Sequence, residues 1–177
     1  FPFRVRSTQV RVLDSNGQPA ANALVYRLPR EAVTGADPMP STSQPLTTTG
    51  NGYLPGRGAL AIGDQLVALQ AISATHAFTL YYTSAAPTAS GLALQPVTQA
   101  GVQTLTVSAA NPLVLFDLDL TLEWDARNDA LFLEQLDSAL ARTSAVLFDV
   151  SNGQMALGNV RIHQARDQWV AADVVLY

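Results

Sequence analysis

The chain contains no cysteine and no lysine. Without cysteine it can build no disulfide framework, no thiolate nucleophile and no sulfur-ligated metal centre. Without lysine it has no Schiff-base amine, no phosphate-cradling P-loop lysine and no means of forming a lysine–asparagine isopeptide cross-link. Its two histidines, His76 and His163, are far apart in the sequence, and an isolated histidine is more often a packed or surface residue than a ligand. Charged residues make up only 14% of the chain, and its ten arginines form no basic stripe, which argues against nucleic acid as a partner. No run of about 18 apolar residues occurs, so no membrane-spanning helix is expected. No Asn-x-Ser/Thr sequon is present, and no cofactor or metal is expected.

What is present is a long apolar chain: 177 residues, 48% of them hydrophobic, with a formal net charge of −4. That is enough to bury a substantial core, and disorder is not expected. Low charge with abundant Thr, Ser, Ala, Gln and Gly is the composition associated with secreted bacterial β-modules, which sets the expected location as extracellular or at the cell surface. The chain opens on Phe1 rather than methionine, so a removed leader or excision from a longer polypeptide is expected.

The N-terminal portion reads as a succession of strands. Phe1, Phe3 and Val5 alternate with Pro2, Arg4 and Arg6 in an extended arm that needs a groove, either in its own fold or in a neighbouring copy as an added strand. Strands are expected over 9–13, 23–28, 65–72, 76–84, 92–97 and 101–109. Turn chemistry separates them, at Asp14-Ser-Asn-Gly-Gln-Pro and Asn51-Gly52. Four prolines between Pro29 and Pro45 mark a long loop, and the 29–49 stretch is a candidate for surface glycans.

Val12-Leu-Asp-Ser-Asn-Gly-Gln-Pro-Ala-Ala-Asn-Ala-Leu-Val-Tyr26, then Thr48-Thr-Gly-Asn-Gly-Tyr53, then Gly63-Asp-Gln-Leu-Val-Ala68, resembles the carboxypeptidase regulatory-like, transthyretin-like β-sandwich over roughly residues 8–75. The resemblance implies a spacer, stalk or accessory module, and it carries over no catalytic residue.

The stretch Leu113 to Asp125 alternates cleanly. Val114, Phe116, Leu118, Leu120, Leu122 and Trp124 share one parity, and Asp117, Asp119, Thr121, Glu123 and Asp125 the other. This predicts a strand with one wet, carboxylate-lined face. Asp117-x-Asp119-x-Thr121 also resembles the first motif of haloacid-dehalogenase-type phosphatases, which would make Asp117 the nucleophile and Asp119 the general acid beside Mg²⁺. Leu120 stands where those enzymes have glycine, and the lysine alternative of their downstream basic residue is missing. The expected reading is therefore a structural strand and not a catalytic one. A line of metal-binding carboxylates is disfavoured because residues two apart on a strand are roughly 6.5–7 Å apart.

Beyond Asp125 the period changes. Leu133, Leu136, Ala139 and Leu140 predict a helix from Asp129 to Arg142. Ser144–Val150 then reads as a buried strand, Ser151-Asn-Gly-Gln as a hairpin turn, Met155–Gln164 as a strand and Trp169–Tyr177 as the last strand. Leu122-Glu-Trp-Asp-Ala-Arg127 and Asn152-Gly-Gln-Met-Ala-Leu-Gly158 resemble the segment ahead of the zinc-binding helix in secreted bacterial metallopeptidases, although no His-Glu-x-x-His occurs.

The expected fold is mainly β, α+β overall. It comprises a transthyretin-like β-sandwich over 1–112 and a small sheet with one crossover helix over 113–177. The expected function is a non-catalytic extracellular structural module that assembles with copies of itself, with Phe1, Phe3, Val5, Trp169 and Tyr177 as interface candidates. The alternatives are an accessory fragment of a secreted metallopeptidase and the phosphatase at Asp117 and Asp119.

Overall fold

A computed structural model describes residues 8–28, 44–55, 60–88 and 91–177. The arm residues Phe1, Phe3 and Val5 and most of the proline-rich loop lie outside the described residues. The described strands are β1 (Gln9–Leu13), β2 (Leu24–Leu28), β3 (Leu46–Thr47), β4 (Gln65–Ala74), β5 (Phe78–Thr83), β6 (Pro87–Thr88), β7 (Gly91–Leu92), β8 (Gln95–Pro96), β9 (Val102–Thr106), β10 (Ser108–Leu122), β11 (Met155–His163) and β12 (Val174–Leu176). One helix, α1 (Ala130–Val150), separates β10 from β11. The architecture is mainly β, with a curled sheet compatible with a β-sandwich.

The main sheet runs β11-β10-β5-β4-β2-β3, with β8 added beside β4 and β12 beside β10. β1 and β9 form a separate parallel pair. This arrangement explains the apolar run in β4, where Leu66, Val67, Ala68 and Leu69 are all at most 1% exposed. Leu66 and Ala68 face Val10 and Val12 of β1 and Leu105 of β9, whereas Val67 and Leu69 face Leu113, Phe148 and Ala156. A strand covered on both faces loses its polar alternation. Each of its larger side chains contributes about 1.5–3 kcal/mol by burial.

The motif residues of the N-terminal portion have structural roles. Asp14 accepts from the backbone N–H groups of Asn16 and Gln18, closing a turn in which Gly17 takes φ +76°. The buried Thr48 hydroxyl accepts from Ala23 N at 2.9 Å and donates to Ala20 O at 2.7 Å, tying the exit from β3 to the approach to β2. Asp64, 3% exposed, accepts from Arg27 Nε at 2.7 Å and from Ala61 N at 2.8 Å. Asp64→Ala leaves the Ala61 N–H without its acceptor and removes the counter-ion of half-exposed Arg27. Its expected cost is about 2–3 kcal/mol, read from the urea midpoint.

Four expectations are corrected. The segment 144–150 is the end of α1 and not a strand. No glycine or proline follows Arg142 to stop the helix, and Leu136, Leu140, Ser144 and Phe148 continue its inward face at four-residue spacing. Residues 151–154 are a helix end and not a hairpin. Asn152 N donates to Asp149 O and Gly153 N to Phe148 O, with Asn152 and Gly153 at φ 54° and 77°, which is a Schellman motif. The last strand is shorter than 169–177 and spans Val174–Leu176, because residues 165–171 form a turn. The strand expected from Leu113 begins earlier, at Ser108, so that Asn111-Pro112 lies inside β10, where the pairing with β5 shifts register between Ser108 and Pro112. β10 itself pairs with β5 on one side and with β11 on the other. A strand–helix–parallel strand unit is present as β10-α1-β11, so the strand returning beside β10 is Met155–His163 and not the expected 144–150.

Candidate functional site

Asp117 and Asp119 sit on β10 beside β11, with which β10 pairs in parallel. The register slips between Phe116 and Leu118: Phe116 is opposite Leu157, and Leu118 is opposite Val160. The extra residue at Gly158-Asn159 is a bulge. Gly158 suits it, since a Cβ there would come within 2.7 Å of Asp117 Oδ1 and 3.2 Å of Leu115 Cβ. The slip brings Asn159, Arg161 and His163 alongside the two carboxylates.

Each acidic residue of the stripe has its own partner. Asp117 Oδ1 accepts from Asn159 N at 2.7 Å and from Asn159 Nδ2 at 3.1 Å. Asp119 receives a two-pronged ion pair from Arg161, Nε and Nη2 each at 2.8 Å, and its Oδ1 also lies 2.8 Å from His163 Nε2. Glu123 pairs with Arg166, and Asp125 Oδ1 accepts from Arg127 Nε at 2.8 Å. Asp119, Glu123 and Asp125 keep 29%, 37% and 42% of their side chains exposed, so the face is wet as expected, and each of its carboxylates also has a polar partner. Hydrogen bonds from Arg161, then from His163, hold the Asp119 carboxyl well below the usual carboxylate range. Arg127 lowers Asp125 to about 2.

The main chain of β10 is also engaged here. Asp119 N donates to Asp173 Oδ2 at 2.9 Å, and Asp173 N donates back to Asp119 O at 2.8 Å. Thr121, fully buried, donates its hydroxyl proton to Asp167 O at 2.6 Å. His163 Nδ1 faces Asp167 Oδ2 at 3.8 Å. Chemically, this is a fastening. Asp119, the would-be general acid, is held as a carboxylate by a guanidinium and an imidazole, and the Asp117 carboxylate accepts from the β11 backbone.

The Asp119–Arg161–His163 constellation was not expected from the sequence. Its signal was the matching parity of Arg161 and His163 with Asp117 and Asp119 on two strands of a parallel unit, which becomes readable only once the bulge sets the register. His76 lies elsewhere, exposed in the turn between β4 and β5.

Of the interface candidates, Trp169 and Tyr177 stand together, with ring centroids 5.4 Å apart and planes at 88°. Arg166 lies over the Trp169 ring at 5.4 Å. Val170 between them in sequence is 99% exposed and Tyr177 is 84% exposed. No helix among the described residues is long and apolar enough to cross a membrane. No protein-family model matches the chain, and no curated protein matches it either.

Proposed function

We propose that this chain is a non-catalytic structural module of the transthyretin-like β-sandwich kind, working outside the cell and joining to copies of itself by β-strand addition. The observation that carries the reading is the use made of the polar motif residues. Asp14, Thr48 and Asp64 bind backbone within the sheet scaffold, and Asp117, Asp119, Glu123 and Asp125 each have a side-chain partner. Side chains that hold strands in register are what a load-transmitting module needs, since it acts through shape and backbone pairing.

In this reading the N-terminal arm supplies the added strand. Backbone hydrogen bonds give strength, and Phe1, Phe3 and Val5 in alternate slots set the register. Trp169, Val170 and Tyr177 form a second contact surface, made of residue types that often anchor interfaces. With no cysteine or lysine to cross-link subunits, the durability of the assembly rests on buried area and hydrogen bonding.

The test compares the intact chain with one lacking residues 1–6, by sedimentation and negative-stain electron microscopy. The expected result is ordered oligomers from the intact chain and loss of assembly on deletion. An intact chain that stays monomeric at high concentration overturns the proposal, as does assembly unaffected by the deletion.

A further inference from the structure

The layer that holds β1 stops at β9. β1 is bonded on both sides, to Gly52 and Leu54 on one and to β9 on the other, whereas β9 pairs with β1 alone among the described residues. The ladder between them opens with Gln9 N donating to Gly101 O and closes with Val107 N donating to Leu13 O. Backbone groups alternate sides along a strand, so the odd-numbered residues of β9 bond toward β1. Val102, Thr104 and Thr106 direct their N–H and C=O groups outward, as an edge strand does. β9 carries none of the usual edge defences. Val102-Gln-Thr-Leu-Thr106 has no charge and no proline, and its register with β1 is unbroken. The other long edge, β11, is defended: Ser151 Oγ accepts from Met155 N and Ser144 Oγ from Leu157 N, and the strand is bulged at Gly158-Asn159 and charged at Arg161.

The floor beside the β9 edge is apolar. β9 passes into β10 through Val107, so its free side looks toward β5 and β10. Tyr82 of β5 lies at the margin of the cluster that seals Val10 and Leu105. On the same face beyond it, Leu80 pairs with Val114 and Phe78 with Phe116, the two rings 6.3 Å apart. These four side chains are partly exposed and belong to none of the three buried clusters. A free backbone edge beside an apolar floor is a seat for one more strand.

Resting on the self-assembly reading, we propose that the outer edge of β9 is the acceptor, and that the Phe1–Arg6 arm of a second copy fills it, running parallel to β9. The arm's own sequence selects the direction. In β9 the buried Leu105 points to the core and bonds toward β1. In a parallel strand on the free side, the residues that point to the floor likewise bond toward β9. Phe1, Phe3 and Val5 then cover the floor, and Pro2, which has no N–H to give, faces away with Arg4 and Arg6. In an antiparallel strand Pro2 would face β9 and interrupt the ladder. A parallel arm in this register cannot come from its own chain. With Val5 beside Thr106, Gln9 lies about 13 Å back along the layer and about 9.5 Å across it, on the far side of β9. That is a straight line of about 16 Å, and the four residues from Val5 to Gln9 reach about 14 Å at most. Charge favours the encounter: no acidic residue precedes Asp14, so the basic arm meets a body that holds all fourteen acidic residues.

The test uses the unmodified chain and a synthetic peptide of residues 1–6. Amide hydrogen exchange is read at Val102, Thr104 and Thr106, with Gln103 and Leu105, already bonded to β1, as internal references. In the dilute chain alone the three amides are expected to exchange freely. Adding the peptide is expected to slow them about five- to tenfold, the scale of one hydrogen bond, with the references unchanged. A peptide carrying Phe3→Asp is expected to bind at least about tenfold more weakly, since it has no aromatic ring for the floor. Protection of the three amides in the dilute chain without peptide shows the arm filling its own edge and overturns the inference. So do protection that falls on β11 instead, equal binding of the Phe3→Asp peptide, and a peptide that does not bind. Self-assembly is judged separately, by sedimentation of the intact chain. Assembly with the three amides still open sinks the β9 seat and leaves strand addition standing. A chain that stays monomeric while the peptide protects them overturns self-assembly and keeps the seat.

Discussion

Phe148→Ala lowers the stability of the chain by about 3–5 kcal/mol, read as a fall in the urea midpoint at unchanged slope. Phe148 is 2% exposed and packs with Val67, Leu69, Leu113 and Ala156, so the loss combines transfer energy with a cavity that three neighbouring strands cannot collapse to fill. Its carbonyl accepts from Gly153 N, so the same residue sits at the helix end that redirects the chain into β11. The comparison with its neighbours makes the test specific. On a strand, Val146, Phe148 and Val150 would share one face and respond alike. On the helix, Val146 is 55% exposed and Val150 73% exposed, and replacing either with alanine is expected to change stability by less than about 0.5 kcal/mol. Equal losses at all three positions would refute the helical assignment of this segment.

Gly52→Ala is expected to cost about 3 kcal/mol or more, through two separable effects. Gly52 has φ +75°, and a Cβ there would stand 2.4 Å from Val12 O and 3.3 Å from Pro19 Cα. The obstructing atoms are backbone of β1 and of the turn that follows it, so no side-chain rotation relieves them. Val12 N also donates to Gly52 O at 2.7 Å, which fixes the distance between the two segments. Gly17 supplies the control. It has φ +76° but open space around the site of a Cβ, so Gly17→Ala carries only the left-handed strain, about 1–2 kcal/mol. Thermal unfolding of the two variants side by side isolates the close approach. Equal losses would show that the contact with β1 is looser than described.

The elements legible in the sequence were those with local causes. Alternation in Gln9–Leu13, Phe78–Thr83 and Val102–Thr106 marked strands, and Asp14 and Gly17 marked a turn. Asp129 marked the start of the helix, where its side chain accepts from Phe132 N. The misread elements needed information from elsewhere in the chain. Val146-Leu147-Phe148 is a short apolar run that fits a buried strand or a buried helical turn equally well, and packing on Leu113 decides between them. Asn152-Gly153 supplies positive φ to a hairpin or to a helix end with the same residues. The Asp119–Arg161–His163 cluster depends on a one-residue bulge at Gly158-Asn159, and without that slip the parity of β11 does not fix which carboxylate each side chain meets.

The pairing of β1 with β9 has a consequence for how the chain comes into being. Gln9 aligns with Val102 and Leu13 with Thr106, and the cluster that seals Val10 and Val12 also needs Leu105 and Val107. A polypeptide emerging from the ribosome must therefore keep β1 waiting until β9, 93 residues further on, has been made. Throughout that interval Val10, Val12, Leu66 and Ala68 lack part of their cover, which exposes the nascent chain to aggregation. A holdase during synthesis, or slow refolding of the isolated chain in the range of milliseconds to seconds, is the kinetic counterpart of that late closure.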